Sequence, residues 1–360
     1  MATMDQLTPA SASAQPARSA RSARSARSAR SAREVLAWSR ALVDPAMRAA
    51  VDTMPGPAHQ IIGYHLGWWD EHGRPAQGDG GKALRPTLVL LAAEAVAGSA
   101  EAAVPGAVAV ELVHNFSLLH DDVMDGDLTR RHRPTAWVVF GAASAILAGD
   151  VLAALAFEVL AAGGHPTDVL SAAVLDLLRG QSADMAFEGR SDVGLPECVS
   201  MAAGKTGALL GCACALGAEL GGGSREQVEQ LRCFGEKAGL AFQLTDDLLG
   251  IWGDPAVTGK PVFSDLQNRK KSLPVVAALT SGTTAGHELA ALYLGEDPLD
   301  EPGLIRAAEL IELAGGRTWA QTRAEELLAE SLHHLHAVNP PPRAAAELTT
   351  LAQLIAHRDH

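Results

Sequence analysis

From Glu34 onward, apolar residues recur at intervals of three and four, punctuated by Gly and Pro, and no stretch sustains the period-two alternation of a half-buried strand. The spacing predicts helices over residues 34–52, 57–72, 84–97, 103–126, 134–162, 166–189, 195–219, 224–251, 267–280, 285–294, 302–313, 317–337 and 342–357. The gaps between them are short, so the expected architecture is one large all-α bundle without an internal linker. Ahead of it, residues 1–33 read differently. Arg18, Arg21, Arg24, Arg27, Arg30 and Arg33 recur every third residue in a Ser-Ala-Arg repeat. A period of three drifts around a helix of 3.6 residues per turn and makes no stable face, which predicts a mobile basic arm. The same composition suits a transit peptide or a tail that docks to a partner or compartment.

Composition sharpens this picture. The 360 residues are 48% hydrophobic but only 4% aromatic, which favours closely packed helices over a β-sandwich. The net charge of −13 hides an asymmetry: the arm carries six Arg against Asp5 alone, so the body is strongly acidic and unsuited to nucleic acid. Cys198, Cys212, Cys214 and Cys233 form no CxxC pair and lie in apolar helical context, as small core residues of a reducing, cytoplasmic compartment would. The uncharged run from Pro134 to Gly149 is too short for a membrane span, so no transmembrane helix is expected.

The candidate chemistry lies in charged clusters at helix ends. His114-Asn115-Phe116-Ser117-Leu118-Leu119-His120-Asp121-Asp122-Val123-Met124-Asp125 puts Asp121 and Asp125 on one helix face, with Asp122 about 100° round. Like charges one turn apart repel, and no Lys or Arg lies between Arg85 and Arg130. The cluster is either a solvated acidic helix end or a hard-oxygen site for Mg²⁺ shared with a substrate phosphate. A second apolar helix closes with Gln243-Leu244-Thr245-Asp246-Asp247, and antiparallel packing would set it opposite the first. Around them lie Gly80-Gly81-Lys82-Ala83-Leu84-Arg85, Arg130-Arg131-His132-Arg133, and a basic loop containing Lys260, Arg269, Lys270 and Lys271. Two acidic patches alternating with three cationic clusters suit a substrate pair bearing two polyphosphate groups.

On GGKALRP, ELVHNFSLLHDDVMD, TRRHRPT, AILAGD, GQSAD, KTG, FQLTDD, GKP and DLQNRKKSLP, in this order over roughly residues 57–280, the chain resembles the trans-isoprenyl diphosphate synthases, the polyprenyl synthetase family. The resemblance implies an isoprenoid synthase fold, a homodimer, and head-to-tail transfer of an allylic diphosphate onto isopentenyl diphosphate. It also implies three Mg²⁺ held by Asp121 and Asp125 with Asp122 supporting, and by Asp246 and Asp247. By the same resemblance, Lys82, Arg85, His114 and Arg131 hold the diphosphate of isopentenyl diphosphate. Arg130, Lys205, Lys260 and Lys270 hold the allylic diphosphate, Thr206 and Gln243 line the carbocation, and Gln181 and Asp184 stand behind the metals. Gly250 departs from the family pattern by standing where the second motif usually ends in Asp, and His132 by standing where Gly usually follows the Arg pair.

Product length is expected from the residues beneath Asp121. The growing chain runs down the bundle, so the small Ser117 leaves room and the bulky Phe116 forms a floor, which in the family resembles synthases stopping at geranylgeranyl diphosphate. Farnesyl diphosphate is the alternative. A non-catalytic or docked partner subunit and a terpene cyclase are the competing functions, although a cyclase has no use for Lys82, Arg85 and His114.

Overall fold

The computed structural model describes residues 29–356 apart from 55, 77, 79, 80, 82, 255–261, 296 and 297; Lys82, Lys260 and residues 1–28 of the arm lie outside the described residues. The helices are α1 (Ala32–Val51), α2 (Gly56–His65), α3 (Leu84–Ala95), α4 (Val104–Met124), α5 (Ala136–Phe140), α6 (Ala142–Ala162), α7 (Asp168–Glu188), α8 (Leu195–Ala202), α9 (Ala208–Leu220), α10 (Arg225–Trp252), α11 (Ser264–Gln267), α12 (Leu273–Leu279), α13 (Thr284–Tyr293), α14 (Glu301–Leu313), α15 (Gly316–Ala337) and α16 (Pro342–Ala356). The expected all-α bundle is observed. Its main core is built from α3, α4, α9 and α10, with α6 laid along α4 and α15 along α10. A satellite core around Tyr293, Leu266, Val275 and Ile311 sits under α11 to α14.

Three expected helices differ. The one placed over 57–72 ends at His65, where Gly67 (φ +76°) takes the left-handed position and the Trp68 and Gly67 amides turn back to the carbonyls of Gly63 and Tyr64. Apolar spacing runs on through Leu66, Trp68 and Trp69, which is why periodicity alone overran the stop. The helix placed over 134–162 divides at Gly141 (φ +86°) into α5 and α6, and the one over 267–280 resolves into α11 and α12 around the loop 268–272. A two-stranded hairpin, β1 (Thr129–Arg130) with β2 (Arg133–Pro134), was not expected. Arg131 and His132 both have positive φ, 51° and 60°, giving a two-residue turn whose twist matches the strands.

The arm boundary also moves. Ser31 caps α1 in a capping box with Glu34, and Arg30 donates to Glu347 and Glu94. Residues 29–33 therefore belong to the body. By length and composition only, segments Glu101–Met124, Ala142–Ala162 and Leu195–Leu220 are long and apolar enough to cross a membrane. The first and third are mostly buried inside the bundle, at 61% and 67%.

Candidate active site

Both acidic motifs stand at helix C-terminal ends, where the macrodipole is negative and a carboxylate is disfavoured. Asp121, Asp122 and Asp125 close α4, the Asp125 amide donating to the Asp121 carbonyl at 2.8 Å. Burial pushes the Asp121 carboxyl up to about 6 against the opposing pull of Lys205, and that of Asp122 up to about 6 despite Arg130. Burial likewise raises Asp125. The sequence reading left these charges without a local partner. The structure corrects it: Arg130 on β1 donates through Nε to Asp122 Oδ1 at 2.6 Å, and Asp122 is 1% exposed. Arg130 thus braces the first motif from beneath.

The second motif sits in the last turns of α10. Asp247 is buried and both its oxygens are engaged: Oδ1 accepts from Gln243 Nε2 at 2.7 Å and Oδ2 from the Leu273 amide at 2.9 Å. Burial nevertheless pushes its carboxyl up to about 7, against Lys270. Asp247, expected as a metal ligand, accepts from Gln243 and from the Leu273 amide, and Asp246 beside it is half-buried. Lys270 joins the motifs. Burial pulls its ammonium down, but Asp265, Asp247, Asp184 and Asp125 together outweigh burial and hold it well above an ordinary lysine. One lysine therefore feels carboxylates from both motifs.

Between α8 and α9 the chain makes a π-helical turn over Ala203–Gly207, so that Leu195–Leu220 is one helix with a bulge at Lys205 and Thr206. Such bulges leave the regular ladder locally and recur at functional sites. The bulge nests against α7 because Gly180 has no side chain: a Cβ there would lie 2.8 Å from the Met201 carbonyl and collide with the Lys205 amide. Lys205 pairs with Asp184 at 2.6 Å, and Thr206 donates to Gln243 Oε1 at 2.6 Å. Thr206, Gln243 and Asp247 thus form one relay. Gln181, 5% exposed, has neither amide atom hydrogen-bonded.

A cationic cluster gathers Arg85, His114 and Arg131. Arg85 can only donate, so its Nη1, 3.2 Å from His114 Nε2, fixes that nitrogen as the acceptor. Burial, then Arg85, Arg131 and Arg130, drive the His114 pKa well down, so the ring is neutral. The Arg131 guanidinium lies against Gly81 (φ +87°), where a Cβ would stand 2.6 Å from Nη2. Arg40 of α1 donates to the Gly81 carbonyl. The sequence reading missed Arg40, which carries no motif signature and is brought to the loop only by packing of α1.

Magnesium fits these residues. Buried carboxylates with raised pKa gain from a divalent cation, and Asp122 Oδ2 and the Gln181 amide await partners. Among the described residues no three His, Cys, Asp or Glu already converge on one point.

The family model described as polyprenyl synthetase matches residues 68–310. The chain belongs to the polyprenyl synthetase family. It is a prenyltransferase. Among its relatives in that family is the (2E,6E)-farnesyl diphosphate synthase of Mycobacterium tuberculosis, 47% identical over 332 residues, covering 90% of this chain and 92% of the relative. The geranylgeranyl diphosphate synthase of the same organism is 45% identical over 331 residues, covering 90% and 93%. The crystal structure of a polyprenyl synthetase from Streptomyces coelicolor superposes with a TM-score of 0.84 at 47% identity, covering 90% of this chain and 99% of that one. The two mycobacterial relatives are named for different products.

Proposed function

We propose that this prenyltransferase condenses isopentenyl diphosphate with an allylic diphosphate, head to tail, to a short all-trans product, with geranylgeranyl diphosphate favoured and farnesyl diphosphate as runner-up. The observations that carry the reading are Lys270, on which carboxylates of both acidic motifs act, and the cationic cluster of Arg85, His114 and Arg131. Two anion sites of different construction suit two diphosphates.

Asp121, Asp125 and Asp246 would hold Mg²⁺, three ions by family resemblance, with Asp122 and Asp247 behind them. The metal, when bound, supplies Lewis-acid stabilisation of the leaving diphosphate. Lys205 and Lys270 add fixed positive charge where negative charge develops as the allylic C–O bond breaks. Arg85, His114 and Arg131 hold isopentenyl diphosphate so that its alkene meets the allylic cation. A new C–C bond forms, the C–O electron pair leaves with diphosphate, and one proton passes to that departing diphosphate. The Thr206–Gln243 pair lines the cation, and the apolar bundle excludes water.

Product length follows from Phe116 and Ser117. Phe116 is 6% exposed and sits edge-on to His120, ring centroids 4.9 Å apart, while His120 Nε2 lies 3.0 Å from the Ile146 carbonyl of α6. The aromatic floor is thus braced between α4 and α6. Ser117 returns its hydroxyl to the His114 carbonyl at 2.9 Å and adds little bulk. A homodimer is supported by the large apolar side chains that α6 and α7 leave exposed, Leu147 at 65% and Leu175 at 50%.

The test is incubation of the purified protein with Mg²⁺, isopentenyl diphosphate and allylic primers of several lengths, with products separated by chromatography. Prenyl products of twenty carbons are expected. Phe116→Ala lengthens them and Ser117→Phe shortens them. Diphosphate release without isopentenyl diphosphate would mark a cyclase, and no release with any primer a non-catalytic subunit.

A further inference from the structure

Of the three arginines on the β1–β2 hairpin, Arg130 braces Asp122 and Arg131 joins Arg85 and His114 in the cationic cluster. Arg133 points elsewhere. It pairs with Arg130 across the turn, yet its guanidinium reaches back to the end of α2. Nη1 donates to the Tyr64 carbonyl at 3.2 Å and Nη2 to the Trp69 carbonyl at 3.1 Å, while the guanidinium carbon lies over the Tyr64 ring, 4.3 Å from its centroid. The ring is tied in turn. Its hydroxyl donates to the Pro134 carbonyl at 2.9 Å, and Phe140 of α5 meets it edge-on with ring centroids 5.2 Å apart. The end of α2 and β2 thus clasp each other from both sides.

The loop that follows α2 folds back on itself at this clasp. The Gly78 amide donates to the Gly67 carbonyl at 2.9 Å, and a Cβ on Gly78 would stand 2.7 Å from the Gly67 Cα and 3.2 Å from Nη1 of Arg133. Only glycine leaves room there for two backbones and a guanidinium. Three residues on, Gly81 lies against the Arg131 guanidinium, and Arg85 follows in the first turn of α3. The cationic cluster therefore draws on the hairpin for Arg131 and on the loop into α3 for Arg85, and Arg133 is the side chain that fastens one segment to the other. A guanidinium suits the place, because its fork donates to two carbonyls at once while its face stacks on an aromatic ring, which an ammonium cannot do. The clasp also stands beside the site it serves: all three arginines line one cavity with His65 and Asp122.

We infer that Arg133 is a positioning residue for isopentenyl diphosphate: by holding the loop after α2 to the hairpin it keeps Gly81 and Arg85 in register with Arg131, and it acts on the substrate only through them. This rests on the proposed prenyl-transfer site, in which Arg85, His114 and Arg131 hold that diphosphate. Arg130 is anchored independently by its 2.6 Å pair with Asp122, so the allylic and Mg²⁺ side keeps its own support. Loosening the clasp weakens the site of one substrate and spares that of the other.

The experiment uses the full chain and measures steady-state kinetics for both substrates together with thermal melts. Arg133→Ala is expected to raise KM for isopentenyl diphosphate about tenfold, with kcat and the KM for allylic diphosphate within about twofold of wild type. Arg133→Lys keeps the charge but loses the fork, and is expected to recover little of that change. Tyr64→Phe removes only the hydroxyl bonded to Pro134, and is expected to move the same KM in the same direction by about two- to threefold. Combining Arg133→Ala with Arg131→Gln shows whether one acts through the other: the double variant is expected to fall well short of the product of the two single effects. Multiplied effects would mean a separate contact with substrate and overturn the inference. So would full recovery in Arg133→Lys, or an equal rise in both KM values with a fallen melting temperature, which would make Arg133 a general support of the fold. Should Arg133→Ala fail to fold, Arg133→Lys and Tyr64→Phe carry the test through the same split between the two KM values. Arg131→Gln is also the control: if it leaves KM for isopentenyl diphosphate at the wild-type value, the reading of the cationic cluster falls, whereas an unchanged KM in the Arg133 and Tyr64 variants alone removes this inference only.

Discussion

At the scale of single residues, the site stores carboxylates where folding disfavours their charge. Burial lifts Asp121 and Asp122 to about 6 and Asp247 to about 7, so the folded chain keeps these protons to higher pH than the unfolded chain, where Asp titrates near about 3.9. The stability this gives is fully present below about pH 4 and is lost as pH rises through 6 to 7. Buried His65, lowered to about 3 mainly by desolvation, and His114 act in the opposite sense, their contribution being lost as pH falls from about 6.5. Above pH 6, where the histidine contribution is nearly complete, the metal-free protein is therefore expected to lose several degrees of melting temperature by pH 8. Asp247→Asn should flatten the fall above pH 6.5, and Mg²⁺ with inorganic diphosphate should reverse it. Melting temperature against pH, in chelator and in Mg²⁺ with diphosphate, checks both. A metal-free protein that gains stability between pH 6.5 and 8 would contradict the assignment.

At the scale of elements, the site is made by crossings and turns more than by helices as such. The π-helical turn at Lys205 and Thr206 meets α7 at Gly180, where backbone touches backbone. Gly180→Ala is expected to cost about 1–3 kcal/mol by overpacking. It should also lower kcat, because the bulge that carries Lys205 and Thr206 must shift, while KM for isopentenyl diphosphate stays near wild type. Thermal melts and steady-state kinetics separate the two effects. The hairpin turn at Arg131 and His132 makes the complementary case. Gly81→Ala would meet the Arg131 guanidinium at a backbone angle that L side chains rarely adopt, so KM for isopentenyl diphosphate should rise about tenfold or more with kcat little changed.

At the scale of the whole molecule, the first residues of the body are tied to its last helix. Arg30 stacks on Trp38 and donates to Glu94 and to the fully buried Glu347 of α16, and Arg343 reaches Glu94 at 2.5 Å. Removing one partner of a buried ion pair leaves the other charge uncompensated. A chain starting at residue 29 is therefore expected to melt as the full chain does, whereas one starting at residue 34 loses the Arg30 contacts and the Ser31 cap and should be less stable by about 2 kcal/mol. Paired melts of the two truncations check this. Equal melting temperatures would show that the Arg30 network adds nothing.

The sequence by itself determined the helical class, the order of the elements and which charged residues are candidates for the site. Amphipathic spacing records which face of each helix is buried, and carboxylates such as Asp121 and Asp125 at i and i+4 share a face wherever the helix goes. It also marked Gly250 as a departure from the second motif. What only the tertiary structure decided is which groups meet. Arg130 reaches back from the hairpin to Asp122, Lys270 stands between two helix ends, Arg40 holds the Gly81 loop, and Asp247 turns inward to Gln243 and Leu273. These pairings join residues distant in the chain through positive-φ turns, a π-helical bulge and glycine crossings, whose geometry depends on the packed neighbours and leaves no period in the sequence. The same holds for Arg133, one arginine among three in its hairpin until folding lays it across the carbonyls of Tyr64 and Trp69.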